Sequence, residues 1–207
     1  MRIGVDLGGT KIEAAAIADD GAILVRQRID TPRDYSSMLA GLANLVRTVE
    51  NEAGGAGRPV GIGMPGSLSP ATGLVRNANS VWLNGKPFLQ DATAALGRPV
   101  RMANDANCFA LSEAVDGAAA GARVVFGVIL GTGCGGGVVV DGKLIEGVNG
   151  VAGEWGHTPL PWPRPEELPF ARDWCGRYGC LETWIAGRAG LERWAPIVLG
   201  RKLTAKE

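Results

Sequence analysis

Gly4-Val5-Asp6-Leu7-Gly8-Gly9-Thr10-Lys11 runs into an apolar stretch from Ala14 to Ala18 and then the turn signal Asp19-Asp20-Gly21. This order predicts a strand, a Gly-rich turn, a second strand, an Asp/Gly turn and a third strand. The second half of the chain repeats it. Gly127-Val128-Ile129-Leu130-Gly131-Thr132-Gly133 leads into the apolar run Gly137 to Val140 and the turn Asp141-Gly142. Either Gly-rich hairpin alone is a weak signal and reads most simply as an ordinary turn. Their recurrence at corresponding positions predicts a duplicated lobe.

Strands and helices alternate between the two hairpins. From Tyr35 to Ala53, apolar residues at Met38, Leu39, Leu42, Leu45, Val46 and Val49 follow helical spacing. Val60 to Met64 reads as a short buried strand closed by Pro65-Gly66. Phe88 to Leu96 reads as a helix between Pro87 and Gly97, Val100 to Ala103 as a strand, and Ala106 to Val115 as a helix capped by Asn104 or Asp105. The Ala/Gly stretch Gly117 to Ala122 is the expected crossing between lobes spanning 1–117 and 118–207. Glu182 to Leu199 is helical in pattern, with Pro196 ending or kinking it. The class implied is α/β, with a mixed sheet in the first lobe.

Lys and Arg together number 21 and so do Asp and Glu, and this balance argues against a general nucleic-acid binder. No apolar stretch is long enough for a membrane span, and no secretory leader precedes the first strand. A cytoplasmic protein with reduced thiols is expected. Its four cysteines then serve packing or metal binding in place of disulfides.

The two Gly-Thr turns suit phosphate binding. Glycine lets backbone N–H groups approach an anion closely, and Thr10 and Thr132 add hydroxyl donors. Asp6, at the end of the first strand, is placed to hold Mg²⁺ through water, and Lys11 adds positive charge. Neither turn matches a Walker or Rossmann pattern. Asn104-Asp105 falls where a strand gives way to a helix, the edge at which open α/β sheets bind ligands. A carboxylate there can take the proton of an attacking hydroxyl while Asn104 hydrogen-bonds a neighbour, although Asp105 equally suits plain helix capping. His157, the only histidine, precedes Cys175-Gly-Arg-Tyr-Gly-Cys180. One His and two Cys fall one ligand short of a closed zinc site, and Asp173 is the obvious fourth. Cys108 and Cys134 read as packing residues, and Trp82 and Trp155 as core residues that could also wall a sugar site.

Taken in order, Asp6-Leu7-Gly8-Gly9-Thr10-Lys11, Pro65-Gly66, Asn104-Asp105, Gly131-Thr132-Gly133 and the Gly156-His157…Cys-Gly-x-x-Gly-Cys block resemble the ROK family of sugar kinases. That family lies within the actin/hexokinase/Hsp70-like ATPase superfamily. The resemblance implies duplicated actin-like (ribonuclease H-like) lobes with mixed sheets and ATP-dependent phosphorylation of a hexose. The segment Asn77-Ala-Asn-Ser-Val-Trp-Leu-Asn-Gly85 resembles the fructokinase or manno(fructo)kinase branch, so D-fructose to fructose 6-phosphate is the expected reaction. Mannose, glucose or an N-acetylhexosamine are the alternatives.

By the same resemblance Asp105 is the general base, and Gly66, Asn79, Asn104, Glu154, His157 and Glu182 contact the sugar or shape its pocket. Asp6, Gly8, Gly9, Thr10, Lys11, Gly131, Thr132 and Gly133 hold MgATP. A structural zinc sits on His157, Asp173, Cys175 and Cys180, with Asp173 standing where the family writes a cysteine. A homodimer is the family expectation. Family members also run longer, their later part cupping the adenosine and closing the second lobe. A chain stopping at Glu207 is therefore expected to have an incomplete second lobe with an exposed apolar sheet face and little ATP-driven turnover, leaving a non-catalytic sugar-binding remnant as an alternative. A sugar-responsive DNA-binding regulator is disfavoured, because no helix-turn-helix module precedes the first strand.

Overall fold

The computed structural model describes residues 1–131, 133–187, 195–196 and 199–201. The chain forms two compact units, Met1–Cys108 with Val148–Gly150, and Phe109–Gly147 with Val151–Glu207. The division falls inside a helix, and Gly117–Ala122 lies wholly within the second unit.

The first unit is built on β1 (Arg2–Leu7), β2 (Lys11–Ile17), β3 (Ile23–Asp30), β4 (Val60–Met64) and β7 (Val100–Asn104), in the order β3-β2-β1-β4-β7. The sheet is mixed. β1, β2 and β3 pair antiparallel through the hairpins, whereas β4 and β7 join β1 in parallel. Parallel pairing needs crossovers, supplied by α1 (Tyr35–Glu52) before β4 and α2 (Phe88–Leu96) before β7. Two short strands, β5 (Ser67–Leu68) and β6 (Val75–Arg76), form a separate antiparallel pair.

Periodicity places the core. Alternate residues Ile3, Val5 and Leu7 of β1 and Ile12, Ala14 and Ala16 of β2 are buried, and α1 lays Met38, Leu42, Leu45, Val46 and Val49 onto the same cluster. Each fully buried aliphatic side chain there contributes about 1.5–3 kcal/mol. α1 starts at Asp34, whose carboxylate accepts the Ser37 N–H at 2.9 Å. One charge lies inside: Glu50 is buried, pairs with Arg98 at 2.8 Å and accepts the Arg58 backbone N–H.

The second unit carries β8 (Val124–Leu130), β9 (Cys134–Val140) and β10 (Lys143–Leu144) in the antiparallel order β10-β9-β8. Asp141 and Gly142 both take positive φ, 47° and 73°, as a two-residue hairpin turn requires. α3 (Asp105–Val115) begins in the first unit, and its Ala110 is buried in the second with Val125 and Val139. The other face of β8, Val124, Phe126, Val128 and Leu130, is exposed, and β8 is an edge strand of its sheet among the described residues.

Two sequence expectations need correction. Cys108 is exposed and is not a core residue. The helix expected over Glu182–Leu199 is interrupted near its start: α4 spans Glu182–Ile185, Ala186 is extended at φ −60°, ψ 148°, and Gly187, Ala195, Pro196 and Leu199 are again helical. The physical reason is a competing bond, since the break frees the Gly187 N–H to donate to Gly131 O at 2.7 Å. Residues 188–194 and 197–198 of that stretch lie outside the described residues. No helix among the described residues is long and apolar enough to cross a membrane.

Candidate functional site

In the first unit the candidate residues gather at one edge of the sheet. Asp6 of β1 is in register with Gly63 of β4, and Gly63 with Ala103 of β7. The strands are parallel, so the Gly8–Thr10 turn, Gly66 and Asp105 all emerge from their carboxyl ends, where such sheets bind ligands. The turn closes on itself, with the Gly8 N–H donating to Lys11 O at 2.9 Å. It is held from outside by Thr31, whose N–H donates to Thr10 O at 3.0 Å and whose hydroxyl donates to Gly8 O at 2.8 Å. Sequence reasoning missed Thr31. Its only signal is a β-branched polar residue just past β3. Lys11 is less free than expected, because its ammonium pairs with Asp30 of the neighbouring strand.

Asn104 is the residue that caps α3. Its Oδ1 accepts the N–H groups of Ala106 and Asn107 at 3.0 and 3.2 Å, and its Nδ2 donates to Gly66 O at 3.1 Å. Asp105 is thereby released from sole capping duty, although its Oδ1 also accepts the Ala106 N–H at 2.8 Å. Asp105 stays open to solvent, yet the surrounding protein displaces enough hydration to raise its carboxyl pKa, against the lowering effect of its hydrogen bonds. Asp6 is also raised, first by burial and then by the negative charges of Asp105 and Glu13. Two carboxylates at one sheet edge, with the Asp105 charge disfavouring that of Asp6, mark the place for a proton to be taken up or a cation to bind.

Gly66 has a φ of 77°, and a Cβ there would meet the backbone of Arg76 and sit 2.7 Å from Ala78 N. Backbone atoms cannot give way as a side-chain tip can. Gly66→Ala is expected to destabilise the chain by at least about 2 kcal/mol, read as a lower urea midpoint at unchanged slope. Asn79 is exposed on the adjoining loop. That loop is closed by Asn84, whose side-chain amide accepts the Ala78 N–H and donates to Ala78 O, both at 2.9 Å. Leu83 and Ser80 of the same segment are buried, and Trp82 packs against the core. Of the asparagines in the Asn77–Gly85 motif, Asn84 is thus engaged in loop closure, while Asn77 and Asn79 are exposed.

In the second unit a turn likewise joins two antiparallel strands, β8 and β9. The Gly131 N–H donates to Gly133 O at 2.9 Å. Thr132 lies outside the described residues. The turn is pinned at both ends: the Gly187 N–H donates to Gly131 O, and Glu182 Oε2 accepts the Cys134 N–H at 2.7 Å. A Cβ on Gly133 would stand 2.5 Å from that carboxylate oxygen, so a side chain here would have to displace the Glu182 carboxylate. Glu182 Oε1 accepts the Trp174 indole N–H at 2.7 Å, so both of its oxygens are engaged within the protein. Glu154 is exposed, and Trp155 donates its indole N–H to Gly135 O at 2.7 Å.

The expected metal ligands come together. One donor atom from each of His157, Asp173, Cys175 and Cys180 lies within 4.8 Å of every other. The two thiol sulfurs are 3.7 Å apart, and His157 Nδ1 is 3.4 Å from Asp173 Oδ1. Bond lengths of about 2.0–2.3 Å to a tetrahedral zinc set donor separations of this size. Buried His157 Nδ1 and Asp173 Oδ2 have no hydrogen-bond partner, a costly arrangement that a cation would relieve. Burial, with the hydrogen bond to Cys175, pushes the Cys180 thiol up to about 11, so a metal must displace protons to bind.

A ROK family model matches residues 2–207. The chain belongs to the ROK family. Among its relatives is the N-acetyl-D-glucosamine kinase of Pectobacterium atrosepticum, 42% identical over 91% of this ROK chain and 63% of that enzyme. Of solved structures, the ROK hexokinase of Thermus thermophilus superposes with a TM-score of 0.81 at 37% identity, over 100% of this chain and 66% of the other. A ROK family glucokinase from Streptomyces griseus, solved with glucose and AMPPNP, gives 0.77 at 34% identity over 95% and 60%. The ROK chain thus spans just under two thirds of the length of these relatives. The mixed α/β architecture is that of ROK actin-like ATPase kinases.

Proposed function

We propose that this ROK chain carries the sugar- and phosphate-handling part of an ATP-dependent hexose kinase, with Asp105 as its general base. The observation that supports this most directly is the placement of Asp105 at the carboxyl edge of the parallel strands. It is set at the start of α3 by the Asn104 cap and stands near a second carboxylate, Asp6, and the Gly8–Thr10 turn. Phosphoryl transfer asks little covalent chemistry of the protein. It needs the sugar hydroxyl positioned in line with the γ-phosphate, its proton accepted and the developing charge offset. Asp105 takes the hydroxyl proton as the oxygen–phosphorus bond forms and ADP leaves. Its raised pKa makes it a better acceptor than a fully hydrated carboxylate. Within its own unit, each of the Gly8–Thr10 and Gly131–Gly133 turns is a candidate to hold phosphate oxygens. Bound near Asp6, Mg²⁺ would neutralise phosphate charge.

Zinc on His157, Asp173, Cys175 and Cys180 is proposed as structural. Its support is the donor spacing and the two orphaned buried polar atoms. One carboxylate and two thiolates would make the site harder, and its metal more exchangeable, than a three-thiolate set.

The substrate is proposed to be N-acetyl-D-glucosamine, on the strength of the Pectobacterium relative's activity. Fructose, expected from the resemblance of the Asn77–Gly85 motif, finds no support among the relatives named above, an N-acetyl-D-glucosamine kinase, a hexokinase and a glucokinase. ADP release with N-acetylglucosamine, fructose, mannose and glucose decides between them. N-acetylglucosamine should show the highest kcat/KM, by about tenfold or more. A preference for fructose overturns the substrate assignment. ADP release with none of the four, together with no measurable sugar binding, overturns the kinase reading.

A further inference from the structure

Trp174 stands between two of the four clustered donors, Asp173 and Cys175, and is 64% exposed. An exposed indole ordinarily samples several rotamers, but this one is held at two points. Its ring meets the His157 ring edge-on, with centroids 5.0 Å apart and planes at 79°. Its Nε1–H donates to Glu182 Oε1 at 2.7 Å. A hydrogen bond to a carboxylate is charge-assisted and among the stronger kinds. Three of the four donor residues therefore adjoin Trp174, two through the backbone and one through its ring.

Beyond Trp174 the contacts continue in one direction. Glu182 Oε2 accepts the N–H of Cys134, the residue directly after the Gly131–Gly133 turn. With one oxygen fixed by the indole, the carboxylate plane is set, and so is the position of the other oxygen against Gly133. Without the indole, Oε1 would turn to water and the carboxylate could rotate. The turn would then keep its own Gly131–Gly133 bond and the Gly187 bond at its opposite end, with a looser hold at Cys134.

We infer that Trp174 is a positioning residue which links occupancy of the His157/Asp173/Cys175/Cys180 centre, through Glu182, to the geometry of the Gly131–Gly133 turn. Drawing the four donors into one coordination sphere fixes the backbone on both sides of Trp174 and the ring that it packs on. The indole N–H passes that constraint to Glu182. The consequence for nucleotide rests on the reading of the turn as a phosphate loop, whereas the linkage itself does not.

The test uses ¹⁵N-labelled chain titrated with Zn²⁺, alongside Trp174→Phe, which keeps a ring against His157 and removes only the donor. In the parent chain, the Trp174 indole and the Gly133 and Cys134 amide resonances should move together with one apparent Kd. In Trp174→Phe, Co²⁺ binding followed by thiolate-to-cobalt absorption should stay within about threefold of the parent. The Gly133 and Cys134 shifts should fall by more than about half, and the MgATP Kd should rise about three- to tenfold. Equal amide shifts in parent and variant overturn the inference, since coupling would then run through the backbone from Cys180 to Glu182. Absence of Zn²⁺-dependent amide shifts in the parent overturns it as well. Normal linkage with no MgATP binding by the parent leaves the inference standing and sinks the phosphate-loop reading instead.

Discussion

Asp105→Asn is expected to lower hexose-dependent ADP release by about 10²–10⁴-fold relative to the parent chain, with the sugar Kd within about threefold. The amide keeps an oxygen for the Ala106 N–H and fills nearly the same volume, so the loss reports on proton acceptance and not on folding. Stability should move the other way. A carboxyl whose folded pKa lies above its unfolded value binds more proton in the fold than in the unfolded chain, so its contribution declines as pH rises from the lower value through the higher. At neutral pH the ionised Asp105 is therefore a liability, and Asp105→Asn should melt no lower than the parent. The parent's rate should also fall on the acid side as pH drops through the raised pKa of Asp105, because the base must be deprotonated. An acid limb at the ordinary carboxylate value, or an Asn variant with parental turnover, would remove Asp105 from its role.

Breaking the four-donor centre should have the largest effect on stability. Cys180 is buried, and Cys180→Ser replaces a soft ligand with a poor one at almost constant volume. Stoichiometric zinc in the purified parent should be lost in this variant, and the parent treated with chelator should match it. If the bound metal contributes about 4 kcal/mol by linkage, the melting temperature falls by about 8–16 °C. Asp173→Cys should shift the balance back, binding zinc more tightly than the parent, since a third thiolate replaces a carboxylate. Metal content by elemental analysis and melting curves with and without chelator read both effects. Equal zinc in the parent and Cys180→Ser would exclude Cys180 as a ligand.

Individual elements show where sequence reasoning succeeds. α1, β4, α2, β7 and α3 all lie within a residue or so of the positions expected from periodicity and punctuation. Each combines a strong local pattern with a local stop: Asp34 before α1, Pro65-Gly66 after β4, Gly97 after α2. The helix expected from Glu182 is broken at Ala186 for the opposite reason. Nothing local stops it at Ile185, and the competing bond to Gly131 comes from a residue distant in the chain. In the Asn77–Gly85 segment, too, a tertiary role is invisible in the sequence. Its asparagines look like ligand-binding residues, whereas one of them closes its own loop on Ala78.

Hydrophobic period, turn chemistry and the repeated Gly-rich hairpin are short-range properties. For that reason the sequence by itself determined the α/β class and brought forward the repeated hairpin and the four candidate metal donors, while Asp105 as base came from the family resemblance. Which contacts hold those residues is set by pairs far apart in the chain, and only the tertiary structure decided them. Thr31 bracing the first turn, Glu182 and Gly187 pinning the second, and Trp174 joining the metal donors to Glu182 leave no local trace. A hydrogen bond between distant residues is specified by the packing that brings them together, and no pattern of neighbours in sequence records it.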